Sequence, residues 1–204
     1  ITLGIGPGMS VLELFNQRNL PFVTIDGGFS NNFINIGIDD VKASEILMDT
    51  VLDQGHRNIA VFMLKNVSLP DSATHFSLTN NSRLNGFNKS LQKRGLSFGR
   101  HTGITVWNSE VTPASGFAVA REVLNQNNPP SAIVCLSDIQ ALGVYQECAN
   151  RGLSIPDDIS VVGFDDIPFS VHMIPALTTL RQPGYEKGEL AAQTLVDMIN
   201  NVQV

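Results

Sequence analysis

Two periods alternate in the hydrophobic pattern of this chain. Residues 59–64 (IAVFML), 131–136 (SAIVCL) and 159–164 (ISVVGF) are apolar at almost every position, as strands buried on both faces must be. Shorter β-rich runs occupy 21–26 (PFVTID), 35–38, 103–107 and 177–181, and the first residues look like the end of another strand. Between these runs the spacing turns helical. Asp40 can cap a helix through Ala43, Ile46, Leu47 and Val51, with Gly55 just past its end. A polar stretch, 65–80, precedes a helix through Leu84, Phe87 and Leu91. Thr112-Pro113 opens a helix to about Gln126. Ser137 and Gln140 form a capping-box pattern ahead of a helix ending near Gly152, and a final helix covers about 183–200. Repeated strand–helix units with doubly apolar strands predict an α/β fold: a parallel sheet covered by helices on both faces.

Composition narrows the function classes. With 43% hydrophobic and 16% charged residues among 204, the chain is globular rather than disordered. Its longest wholly apolar run has six residues, far short of a bilayer span. Thirteen basic against nineteen acidic residues give a net charge of −6, which argues against this segment being a nucleic-acid surface itself. Cys135 and Cys148 are too few for a disulfide framework; they are expected reduced and buried, as in a cytoplasmic protein.

In open α/β sheets, ligands bind outside the carboxyl ends of the strands. The residues expected there are Asp26, Trp107, Ser137, Asp138, Asp165, Asp166, Arg181 and Gln182, with Arg83 opening a helix that follows a strand. Carboxylates and amides take hydroxyls pairwise, Arg donates a fork and Trp offers a flat apolar face, so a sugar or nucleoside suits the mixture. Each residue also has a structural alternative. Ser137 and Asp138 can serve as caps, Asp165 and Asp166 as turn residues before Pro168, and Trp107 as an aromatic at the edge of the core. Arg83 can be an exposed surface charge, although a cation in a first helical turn opposes the dipole.

Enzyme readings find little support. Gly4, Gly6 and Gly8, with Asp26 beyond them, mimic a dinucleotide fingerprint, but Met9 stands where the third glycine belongs. The four histidines are scattered, no phosphate-binding loop accompanies Asp165-Asp166, and no Ser or Cys has an evident base partner. No cofactor or metal is expected.

Several stretches resemble the lactose-repressor (LacI/GalR) family of transcriptional regulators. They are PFVTID (21–26), GHRNIAVF (55–62), RLNGF (83–87), PPSAIVCLSDIQALG (129–143), GLSIPDDISVVGFDD (152–166) and PALTTLRQP (175–183). In order and spacing they run from about Pro21 to Asn200, and LTTLRQP after ISVVGFDD separates these regulators from most periplasmic sugar-binding proteins. The resemblance implies a periplasmic-binding-protein-like, type I core: two similar doubly wound parallel-sheet subdomains, the N-terminal one incomplete here. Residues 1–36 would be the tail of that subdomain, 37–179 the C-terminal subdomain, and 180–204 a return segment. It further implies a small-molecule effector bound in the cleft, and closure of the subdomains controlling an operator through a helix-turn-helix head before Ile1. The protein would then be a cytoplasmic homodimer and not an enzyme. The family's effector contacts fall on Asp26, Arg83, Trp107, Asp165 and Gln182, with Ser137 and Asp138 at its [ND]D motif, where Ser shortens the usual Asn. The stretch between His56 and Arg83 is longer than the family pattern. The alternative from another class is a periplasmic sugar-binding protein serving a transporter.

Overall fold

The computed structural model describes residues 1–4, 6, 10–28, 31–64 and 75–200. Gly8 and Met9 of the fingerprint-like stretch, and residues 65–74 of the long polar stretch, lie outside the described residues. The elements run β1 (Thr2–Leu3), α1 (Ser10–Gln17), β2 (Val23–Ile25), β3 (Ile34–Ile36), α2 (Asp40–Asp53) and β4 (Ile59–Leu64). They continue α3 (His75–Gln92), β5 (Ile104–Ser109), α4 (Pro113–Leu124), β6 (Ala132–Cys135), α5 (Asp138–Arg151), β7 (Ser160–Asp165), β8 (Thr178–Arg181) and α6 (Gly184–Ile199).

The chain divides into two compact units. The first holds the described parts of Ile1–Asp39, Ser68–Asn81 and Pro183–Val204; the second holds those of Asp40–Val67 and Ser82–Gln182. In the first, three parallel strands lie in the order β1-β2-β3, and α6 packs on β2 and β3. Phe15, Phe22 and Phe33 pack in a row as tilted pairs, at 5.4 and 5.8 Å between ring centroids.

In the second unit five parallel strands take the order β5-β4-β6-β7-β8. All six residues of β4 are buried, as are all four of β6, so the doubly apolar runs are the central strands. Full burial of one such aliphatic side chain contributes about 1.5–3 kcal/mol. The helix α4 starts as its sequence dictates: Thr112 caps it, its hydroxyl accepting from Ser115 N at 3.1 Å, and Pro113 follows. Ser137 likewise caps α5, and Gly152 ends it in the left-handed conformation. These two helices touch backbone to backbone. A Cβ on Gly143 would lie 2.0 Å from Pro113 O, and one on Gly116 would lie 2.1 Å from Gln140 O.

Two expectations need correction. Helix α3 begins at His75, so Arg83 sits well inside it and not in a first turn. Strand β5 continues to Ser109 because Asn108 and Ser109 still pair with Met63 and Leu64, so Trp107 is internal to the strand rather than at its end. Both cysteines are free and buried, as expected.

Candidate functional site

The site assembles where β6, β7 and β8 end side by side in the second unit. Asp165 is the last residue of β7, Ser137 follows β6 by two residues, and Gln182 follows β8 directly. Ser137 Oγ donates to Asp165 Oδ2 at 3.0 Å, and Gln182 Nε2 donates to Asp165 Oδ1 at 2.8 Å. A backbone bond of 3.1 Å from Gln182 N to Asp165 O fixes the same pair a second time. Asp165 and Asp166 both have positive φ, 121° and 55°. Conformations so sparsely populated cost on the order of 1–3 kcal/mol and concentrate at functional sites. Burial pushes the Asp165 carboxyl above its ordinary pKa, an effect partly offset by the Gln182 amide, the Arg83 charge and the Ser137 hydroxyl.

Arg83 is almost fully buried, at 4% exposure, which removes the surface-charge alternative. Its Nε donates to Asp40 Oδ1 at 2.9 Å, its Nη1 donates to Leu136 O at 2.9 Å, and its guanidinium carbon lies 3.6 Å over the Phe164 ring. Gly86, one turn further on, lets α3 settle on the start of α2: a Cβ there would lie 2.2 Å from Val41 O. Two of the three guanidinium nitrogens are thus committed to the protein, which aims the group and leaves Nη2 without a described partner.

Asp138 is enclosed, with no exposure at all. Its Oδ2 accepts from Ile167 N (2.9 Å) and Ser170 Oγ (2.7 Å), and its Oδ1 accepts from Thr179 Oγ1 (2.6 Å). A Cβ on Gly163 would stand 2.1 Å from Asp138 Oδ1, so glycine there makes room for the carboxylate. Asp138 therefore ties the segment after β7 to β8 and presents nothing to solvent. Asp166 accepts from exposed Arg181 Nε at 2.6 Å.

The remaining two residues are not brought into this cluster. Trp107 donates its indole N–H to Thr105 Oγ1 at 2.9 Å, back toward the amino end of β5, and packs against the core of the second unit. Asp26 belongs to the first unit. It follows β2 at φ 52° and accepts from the nearly buried Lys187 Nζ at 2.5 Å.

Sequence reasoning missed three supporting residues. Asp40, in sequence no more than a helix cap, holds Arg83. By sequence Gln140 is half of a capping box. Its side chain instead spans the carboxyl edge, donating to Ser109 O at 2.9 Å and Met63 O at 3.4 Å. Lys187 carried a weak signal, a basic residue in the first turn of α6 where the dipole disfavours it. No group of three or more metal-ligating side chains occurs among the described residues. None of their helices is long and apolar enough to cross a membrane.

Comparison with known proteins bears on the family and the fold. The periplasmic binding protein-like domain family model matches residues 48–204. The transcriptional repressor PurR of Glaesserella parasuis is 31% identical over 189 residues, which cover 92% of this chain and 52% of that protein. A LacI-family regulatory protein from Chloroflexus aggregans superposes with a TM-score of 0.84 at 26% identity, over 99% of this chain and 69% of the other. A LacI-family regulator from Enterococcus faecium, solved with bound ribose, gives 0.82 at 23% identity, over 98% and 70%. The chain spans about half the length of the curated relatives it matches. With that match over most of its length, the chain belongs to the periplasmic binding protein-like domain family, and it is similar in sequence and fold to LacI-type regulators.

Proposed function

We propose that this chain binds a small polyhydroxylated effector, a sugar or a nucleoside-like molecule, and passes that binding on to the operator affinity of a longer regulator. The observation that carries the reading is Asp165: a carboxylate at the central carboxyl edge, in a strained backbone conformation, with one donor on each oxygen. Each oxygen keeps capacity for a further donor, which two adjacent ligand hydroxyls supply at once. Arg83, Ser137 and Gln182 complete the set in the second unit. Asp138 supports the set from beneath, and Trp107 is left out of it.

The effector acts by linkage: it favours whichever conformation of the core it binds better, and operator affinity follows. A helix-turn-helix segment in the longer protein carries the DNA contact, and the working unit is a cytoplasmic homodimer without catalytic activity. The net charge of −6 supports assigning DNA binding to another segment.

Calorimetry and thermal shift with ribose, cellobiose and adenosine test the reading. An effector that binds only the native state at 100 times its Kd adds about 2.7 kcal/mol of stability. At least one of these classes is expected to raise the melting temperature of wild type clearly more than that of Asp165→Asn. If none binds, or if binding survives that substitution unchanged, the assignment fails.

A further inference from the structure

A cavity of about 500 Å³ opens at the opposite end of the second unit's sheet, beside the amino ends of β7 and β8. It lies at a distance from the Asp165 cluster: β7 runs from Ser160 in the cavity wall to Asp165, five residues at about 3.3 Å each, or roughly 16 Å. The proposed function does not use it. Val51, Ile155, Pro156, Val162 and Pro175 form apolar walls. Gln54, His56, Tyr145, Ser160 and Thr178 add polar atoms, and no Asp, Glu, Lys or Arg lines the space.

Two of the polar groups are set in particular ways. His56 is strung between hydroxyls, Nδ1 on Ser131 Oγ at 2.8 Å and Nε2 on Ser160 Oγ at 3.0 Å. Burial lowers its pKa, so the imidazole stays neutral near pH 7. Tyr145 packs its ring against the core and lines the cavity, and its hydroxyl makes no bond to a described residue. Burial raises that phenol to about 12, so it remains a donor at any physiological pH. A half-buried donor without a protein partner, in a charge-free cavity of ligand size, is the arrangement expected of a small-molecule pocket.

We propose that this cavity is a second small-molecule site, taking an uncharged, ring-sized, mostly apolar compound with a hydrogen-bond acceptor for Tyr145. A charged compound is disfavoured because no wall residue repays its desolvation.

Equilibrium dialysis of the whole chain with 7-methoxycoumarin, a neutral bicyclic lactone, tests this, with its anionic 4-acetic acid as the contrast. Saturable binding is expected, with the anion bound at least about tenfold more weakly. Ala176→Phe, which narrows the cavity at an exposed position, should abolish binding, and Tyr145→Phe should weaken it about fivefold by removing only the hydroxyl. Asp165→Asn should leave it unchanged, which separates this site from the other. The proposal is overturned if the lactone shows no saturable binding up to millimolar concentration, or if Tyr145→Phe binds it as wild type does. It is equally overturned if Asp165→Asn removes the binding, or if Ala176→Phe changes the oligomeric state and not lactone uptake.

Discussion

Asp138 lies just beyond β6 and Asp165 ends β7, so both carry a carboxylate at the same sheet edge of the second unit. Asp138 is sealed, with three donors from two elements: Ile167 and Ser170 in the segment after β7, and Thr179 in β8. Asp165 has two donors, partial exposure and a backbone that L residues seldom adopt. A buried charge is tolerated when its acceptor sites are filled, and a carboxylate with acceptor sites to spare is in a position to bind something else. One aspartate holds the edge together; the other faces outward from it.

Substitutions can break or sharpen this contrast. The largest effect is expected at Asp138→Ala, which strands three donors around a fully buried carboxylate site and should cost about 3–5 kcal/mol in urea unfolding. A loss below about 1 kcal/mol would end the distinction, since surface changes reach only that size. Arg83→Ala comes next at about 2–4 kcal/mol, because it frees Asp40 and the Leu136 carbonyl as well as removing the proposed ligand donor. The fold is thus not expected to survive this change untouched. Asp165→Asn should do the reverse, lowering effector affinity about tenfold, or roughly 1.4 kcal/mol, in calorimetry with little change in melting temperature.

Its pH dependence sharpens the point. The folded-state pKa of Asp165 lies above the ordinary 3.8, so the group favours the fold below that value, and this contribution is lost as pH rises through the folded value. The stability of wild type relative to Asp165→Asn should therefore fall as pH rises through that window. Effector affinity should run the other way, dropping on acidification in wild type and staying flat in Asp165→Asn. The smallest effect is expected for Trp107→Phe: about 1 kcal/mol of stability from lost packing, with effector affinity unchanged. A clear loss of affinity there would move Trp107 into the site.

The sheet was legible in the sequence wherever both faces of a strand are buried, as in β4, β6 and β7, because parallel strands under two helical layers admit only apolar residues. The caps Thr112 and Ser137 were legible for the same local reason. Arg83 was misplaced because His75–Ser82 is polar and poor in strong helix formers, so nothing in that stretch announces a helix. The identity of the edge residues could be read, but their division of labour could not. Asp138 meets partners 29 to 41 positions away, and Gln140 reaches back 31 to Ser109 and 77 to Met63. Such pairings come from the packing of whole units, which local spacing does not record. Lys187 and Asp26, 161 positions apart, are the extreme case.

The glycine contacts between α4 and α5 carry a dynamic consequence. With backbone against backbone at Gly116 and Gly143, neither helix can shift or fray at that seam without opening the other. Native-state hydrogen exchange should report amides of α4 and α5 opening at one shared free energy, as a single cooperative block. Ser137 and Gln140 ride on that block. The edge that holds Asp165 is therefore expected to exchange its amides as slowly as that block does.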